Sequence, residues 1–335
     1  MRKSLRMSLL ALTGLAISLP AFSQMAVADE ITIYSGRGES FMAPLIKSFE
    51  KQTGVTAKTR YGSTAELAAL LREEGDKSPA DVFIAQDAGA LGATADLLVV
   101  LPDGFFEEQL PVFRAEDKSW VGTSARARTL AYSSERVKTN ALPASVHDLV
   151  KPEWKGKVGF APRNASFQAF LTAMRATEGE DKARAFVQGL KDNAAKTYAN
   201  NTSLIQAIAD GEIDAALVNN YYLPRFKARD RKFPVEQVFF EKGDIGNLLF
   251  VAGAGVLKAS DEKDDAQKFV EFLLSPAAQQ YFVSTVGEYP VVKGIIPNPA
   301  LGAVADPEAV APDVKLEVLS DTAGTKKLLT ELGLL

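Results

Sequence analysis

Cysteine is absent from the 335-residue sequence. No disulfide, thiolate nucleophile, zinc–thiolate site or iron–sulfur cluster can therefore form. Histidine occurs once, as His147 in "LPASVHDLV". One imidazole excludes a multi-histidine metal site and leaves a single candidate for a Ser–His–Asp triad. Its place just before an apolar helical pattern reads as a surface or capping residue. Tryptophan is scarce too, and Trp120 and Trp154 fit hinge or core positions. Neither a G-x-S-x-G elbow nor a Gly-rich phosphate loop occurs, so an enzyme is not expected. Lys plus Arg number 38 against 42 Asp plus Glu, for a net charge of −4, and the cations are dispersed. That pattern gives nucleic acid no basic patch to bind.

The first residues supply what composition does not. MRKSLR is basic, MSLLALTGLAISL is an apolar run, and Ala26-Val27-Ala28 has the small-x-small form of a cleavage site. A secretory signal peptide over 1–28, cut before Asp29, is expected. No other apolar stretch approaches the about 18 residues of a membrane span. The mature chain should be free in the periplasm, without stable membrane insertion, and monomeric. Losing Arg2, Lys3 and Arg6 takes its charge from −4 to −7. About 300 residues without disulfides must rely on their core, and that length suggests two domains.

Along the chain, "ITIYSG", "VTAKTRYGS" and "ADVFIAQD" read as strands. "ESFMAPLIKSFEKQTG", with Gly54 as stop, and "TAELAALLREEG", with Thr64 as cap and Gly75 as stop, read as helices. A second strand–helix unit starts near "VGFAPRN" and ends in "IDAALVNNYY". Alternating strands and helices imply an α/β fold with parallel pairing. Ligands of such folds sit beyond strand C-termini and at helix starts. The unusual residues fall there: Tyr34 to Glu39, Gln86 and Asp87, Arg163 to Ser166, Asn200 and Asn201, and Tyr221 with Tyr222.

The adjacent tyrosines pose a specific problem. Within a strand, neighbouring side chains point to opposite faces. Either one ring packs in the core and the other lies at a cleft edge, or the chain turns and both serve one site. A phenol titrates near 10, so a tyrosinate at neutral pH requires strong positive charge. A hard trivalent cation such as Fe³⁺ supplies it and prefers oxygen donors. Tyr34, Tyr61, Tyr132 and Tyr198 complete the cleft candidates, Tyr34 and Tyr132 reading mainly as packing.

Taken together, "ITIYSGRGES", "SPADVFIAQDAGAL", "WVGTSARARTLAYSS", "PEWKGKVGFAP", "YANNTSLIQAIADGEIDAALVNNYY", "AGAGVLKAS" and "EYPVV" resemble the periplasmic ferric-ion-binding proteins of the bacterial transferrin type, over nearly the whole mature chain. The resemblance implies a type II periplasmic binding protein, with two α/β lobes, a hinge and an interdomain cleft. Tyr221 and Tyr222 would be tyrosinate ligands of Fe³⁺, a synergistic anion (carbonate or phosphate) would complete the shell, and an inner-membrane ABC permease would receive the cargo for iron uptake. Lobe one is expected at 29–127 plus 252–297 and lobe two at 128–251 plus 298–335.

The sequence departs from that pattern. Arg37-Gly38-Glu39 stands where many relatives have a histidine, Gln86-Asp87 where some have a glutamate, and no third tyrosine lies in "APRNASFQAF". Glu39 and Asp87 could substitute as carboxylate ligands, or serve only as a helix-start charge and an N-cap. Asn164 and Ser166 at a helix start form a suitable anion cradle, and Asn201 matches an anion contact of the family. Arg126 and Arg128, two apart on a strand, could both face the cleft; Arg37 and Gln86 are further candidates. The alternative is a binding protein for an organic anion such as a phosphonate, or for chelated iron.

Overall fold

The computed structural model describes residues 29–335, so the expected signal peptide lies outside the described residues. The first elements are β1 (Glu30–Ser35), α1 (Glu39–Thr53), β2 (Thr56–Tyr61), α2 (Thr64–Glu74), β3 (Val82–Ala85), α3 (Ala88–Ala93) and the long β4 (Val121–Ser133). Then come β5 (Val158–Phe160), α4 (Ala165–Glu178), α5 (Glu180–Asp192), β6 (Lys196–Thr197), α6 (Asn201–Ala209), β7 (Ala215–Asn219), α7 (Tyr222–Lys227) and β8 (Val235–Val238). The chain ends with β9 (Leu249–Val256), α8 (Lys263–Leu274), α9 (Pro276–Tyr281) and α10 (Thr322–Glu331).

Local chemistry sets the helix limits. Gly54 stops α1 in the left-handed region, at φ 78, and its N–H donates back to the Glu50 carbonyl. The expected cap at Thr64 is displaced by one residue. Ser63 is the N-cap of α2, with Oγ accepting from the Glu66 N–H while the Glu66 carboxylate takes the Ser63 N–H. That reciprocal pair satisfies two donors that a helix start otherwise leaves open. Thr64 instead accepts the Gln86 N–H at 3.1 Å, which ties α2 to the loop after β3.

The sheet order is β2-β1-β3-β9-β4-β7-β5-β6, with β8 also on β4. β1 pairs parallel with β2 and β3, and β5 pairs parallel with β6 and β7. The pairs β3–β9, β9–β4, β4–β7 and β4–β8 are antiparallel. β4 is buried along its length. Its Val121–Ala127 half pairs with β9, and its Arg128–Ser133 half pairs with β7 and β8. One strand therefore runs through both halves of the molecule, and Arg126 and Arg128 sit where it passes between them.

Apolar faces pack against each half. Ile31, Ile33, Val82 and Ile84 meet Phe49 of α1 and Phe269 of α8. Those two rings meet edge-on at 5.0 Å, a contact worth about 0.5–1.5 kcal/mol beyond area burial. Ala131, Ala216 and Val218 meet Ile205 and Ile208 of α6. The tail joins the halves from outside the sheet. A 3₁₀ turn over Leu316–Ser320 packs on both α3 and α4, and α10 lies on α4. Among the described residues, no helix is long and apolar enough to cross a membrane.

Candidate metal centre

The turn after β7 answers the tyrosine question. β7 stops at Asn219, Tyr221 occupies the cap position of α7 and Tyr222 begins the helix. Asn220 fixes this turn. It is fully buried; its N–H donates to the Ala127 carbonyl at 3.0 Å and its Oδ1 accepts the Ala127 N–H at 3.0 Å. Its Nδ2 also donates to the Gly287 carbonyl at 3.3 Å. Leaving the strand frees both phenols to point one way, and the rings stack with centroids 4.5 Å apart. The Arg225 guanidinium, one turn on, lies 4.9 Å from the Tyr221 ring and 5.4 Å from the Tyr222 ring.

Both rings line a cavity of about 290 Å³. Gln86, Asp87, Arg126, Asn164, Ser166 and Asn201 line it as well, so eight of the residues expected from sequence converge there. Burial pushes the Tyr221 phenol up to about 12, against the pull of Arg126 and with the push of Tyr222. At neutral pH Tyr221 is therefore a neutral phenol until a cation displaces its proton.

Each remaining lining residue is held by its own element. Asp87 is the N-cap of α3, its Oδ1 accepting the Ala90 N–H at 2.9 Å, so it caps and lines the cavity at once. Asn164 caps α4, accepting the Ser166 N–H at 3.1 Å and hydroxyl at 2.6 Å. Asn201, buried in the first turn of α6, donates toward Ser166 Oγ at 3.4 Å. Arg126 donates to the Gln86 carbonyl at 2.6 Å, and its other arm lies 3.7 Å from Glu288.

Three expected residues fall elsewhere. Arg128 shares the face of Arg126 but is not among the cavity-lining residues. Its guanidinium is fully buried one layer behind, donating to Ser166 (3.1 Å), Asn201 (3.3 Å), Asn219 (2.9 Å) and the Leu217 carbonyl (2.6 Å). Burial lowers its pKa to about 9, with Tyr221 and Tyr222 opposing, which leaves it charged at neutral pH. Arg37 lines an adjoining cavity of about 260 Å³ that shares Gln86, Arg126 and both tyrosines. There it donates two bonds of 3.1 Å to Glu288. Glu39 is exposed in the first turn of α1 and lines neither cavity. Burial raises the Tyr61 pKa, against the Thr59 hydrogen bond, and the nearby Glu39 charge adds to the rise.

Sequence reasoning missed Glu288, although "EYPVV" contains it. This carboxylate is 3% exposed and accepts from Arg37 and Ser124. Burial would raise its pKa, but Arg37 and then Arg126 outweigh that and hold it below the usual carboxylate range. A lone acid between Val286 and Val291 was the available signal. Arg225, Asn219, Phe250, Leu319 and Thr322 were missed as well. Tyr34, Tyr61, Tyr132 and Tyr198 line neither cavity; Tyr34 donates to Glu74 and Tyr198 to Glu212. His147 lies 2.9 Å from Glu178, also outside both cavities. Among the described residues, no cluster of three or more His, Cys, Asp and Glu could hold a metal ion. A metal in this cleft would rely on the phenols.

Two α/β halves threaded by one strand, with a polar cavity at strand ends, define a type II periplasmic binding protein. The chain belongs to the bacterial extracellular solute-binding proteins, whose family model matches residues 101–317. It is 34% identical to the major ferric iron-binding protein of Neisseria meningitidis serogroup A, over 100% of both chains. Among solved structures it is similar to iron-bound HitA from Pseudomonas aeruginosa, with 32% identity, TM-score 0.79, and coverage of 91% of this chain and 99% of that one. It is also similar to a Trichodesmium protein, IdiA or FutA, in complex with iron and citrate, with 30% identity, TM-score 0.80, and coverage of 91% and 100%.

Proposed function

We propose that this chain is a periplasmic receptor that captures Fe³⁺ between two lobes and delivers it to an ABC permease for iron uptake. The observation that carries the reading is the stacked Tyr221–Tyr222 pair in a cavity furnished with oxygen donors. Tyr221 and Tyr222 ligate the ion as phenolates, and Asp87 is a further oxygen ligand from the opposite wall. Glu39, which lines neither cavity, has no part in it. Carbonate or phosphate sits at the start of α4, against Asn164, Ser166 and Asn201. Arg126 and Gln86 face it across the cleft, while Arg128 holds Ser166 and Asn201 from behind. Arg37 acts through Glu288 and Arg126, without touching the anion.

In this reading lobe one comprises 29–127 plus 252–297 and lobe two 128–251 plus 298–335, residues 1–28 are a cleaved signal, and the mature protein is a monomer. The function is binding and no catalytic residue is assigned. Cargo that touches both walls favours the closed form, because only closure gains both sets of contacts.

The test is a titration of purified, metal-stripped protein with ferric iron. Phenolate–Fe³⁺ coordination gives a visible charge-transfer band, and the reading expects one. A receptor for a metal-free organic anion such as a phosphonate would give no band.

A further inference from the structure

The side chain of Asn220 reaches two chain passages anchored in different halves of the molecule. On its Oδ1 side, Ala127 is the last residue of β4 paired with β9, and Arg128 after it pairs with Asn219 of β7. On its Nδ2 side, Gly287 follows Val286, which is buried in the first core with Ile31 and Phe49. Leu223, three residues beyond Asn220, is buried in the second core with Ile205 and Val218. The amide therefore stands across the joint between the halves.

Gly287 is shaped for this contact. A π-helical turn, Phe282–Val286, delivers the chain to it, and such turns concentrate at functional sites. Gly287 ends that turn in the left-handed region, at φ 81, with its N–H donating to the Phe282 carbonyl at 3.1 Å. A β-carbon on Gly287 would stand 3.5 Å from Cβ of Tyr221, so this passage lies directly against the first tyrosine. Two residues on, Tyr289 exchanges both backbone hydrogen bonds with Ala125 of β4, at 3.0 and 2.7 Å. The Gly287 passage thus runs beside β4 where that strand crosses between the halves.

The two attachments of the tyrosine turn are unequal. Toward β4 it is held by the Asn220 N–H, by Oδ1 and by the β4–β7 ladder. Toward Gly287 it is held by the 3.3 Å bond from Nδ2. A rotation that parts the walls breaks the weaker attachment and withdraws the support beneath Tyr221. A buried amide donor left without a partner is unfavourable, so the bond favours the angle at which the walls meet. Tyr222 is held differently, because it begins α7 and its neighbour Leu223 is packed in the second core.

We propose that Asn220 is a positioning residue for the ferric ion, coupling the hinge to the tyrosine pair. With the walls together, its amide holds Tyr221 beside Tyr222 so that both phenols face one ion. When the walls part, the Gly287 bond is lost and Tyr221 loosens first, which weakens the grip on the cargo as it is delivered. The proposal rests on the iron reading above and adds how closure and ligation are linked.

The experiment loads wild type, Asn220→Ala and Gly287→Ala with ferric iron in phosphate buffer. It measures bound iron by elemental analysis, the charge-transfer absorbance per bound iron, and the EDTA concentration that removes half of the iron. Asn193→Ala is the control: Asn193 is a buried asparagine outside both cavities whose amide donates to the Lys151 carbonyl at 2.7 Å. Melting curves establish which variants are folded. Asn220→Ala should lose half its iron at roughly tenfold less EDTA, as when a residue supporting a metal ligand is removed, with weaker absorbance per bound iron. Gly287→Ala, which strains the backbone and presses on the tyrosine turn from the other half, should change both readings in the same direction. Asn193→Ala should lower the melting temperature and leave both readings as in wild type. Wild-type readings in folded Asn220→Ala overturn the proposal and leave the iron reading standing; should that variant not fold, wild-type readings in Gly287→Ala overturn it. No band in the wild-type protein overturns both.

Discussion

The two walls of the cleft are built on different principles. The wall from β7, α4 and α6 presents oxygen donors held in place by hydrogen bonds: Asn220 clamps the tyrosine turn to β4, and the buried Arg128 gathers Ser166, Asn201 and Asn219. The wall from β1, β3 and the segment around Glu288 presents charge. Arg37 and Arg126 flank one buried carboxylate, and Gln86 and Asp87 end the strand. In the proposed reading the first wall supplies both phenolates, and the second adds Asp87 and balances charge as the cleft closes. Removing a phenol from the first wall should cost most binding, whereas on the second wall the buried Glu288 should carry stability and Asp87 a smaller share of binding.

The largest expected effect is on the ligating wall. Tyr221→Phe and Tyr222→Phe should each abolish the charge-transfer band, with an affinity loss beyond the roughly 10–100-fold typical of losing a supporting residue. Acid should act next. Burial holds the Tyr221 phenol up to about 12 in the absence of metal. Iron uptake must then release its proton, so affinity falls as pH falls, by about tenfold per unit for each phenolate formed. Titrations between pH 8 and pH 6 at fixed anion concentration measure that slope.

Glu288→Gln sharpens the comparison from the other side. It leaves Arg37 buried without its charge partner, a change that costs about 3–5 kcal/mol in buried pairs. Because the Glu288 pKa is lowered in the folded state, its contribution is present above the ordinary carboxylate pKa and is lost as pH falls through the folded value. The melting temperature of the variant should therefore be lower than wild type at pH 7 and approach it in acid. A smaller effect is expected for Asp87→Asn, which keeps the α3 cap but removes a charged donor. Iron affinity should fall while the melting temperature stays within a few degrees. Glu39→Gln should change neither by more than about 0.5 kcal/mol, as for other exposed positions.

Local pattern made much of this legible. Helical periodicity, Gly54 and Gly75 located α1 and α2, and strand alternation put Arg126 and Arg128 on one face. The tyrosine pair stood out because two adjacent phenols cannot share a core from one strand. Depth was not legible: two arginines on one face lie at different levels because Asn201 and Asn219 engage the second. Glu39 and Asp87 looked alike as acids after strands, and only the path of the chain leaves one outside the cavity and brings the other into it. Glu288 and Leu319 escaped notice because their partners lie far away in sequence, Arg37 being 251 residues from Glu288. No local spacing encodes such a pairing.

The most direct measurement is anomalous scattering at the iron edge from crystals of the ferric-loaded protein. The predicted result is one strong peak bonded to the phenolate oxygens of both Tyr221 and Tyr222, with Arg126 and the start of α4 around the remaining donors. Iron at another place, or iron in the cleft with either ring turned away, would contradict the account.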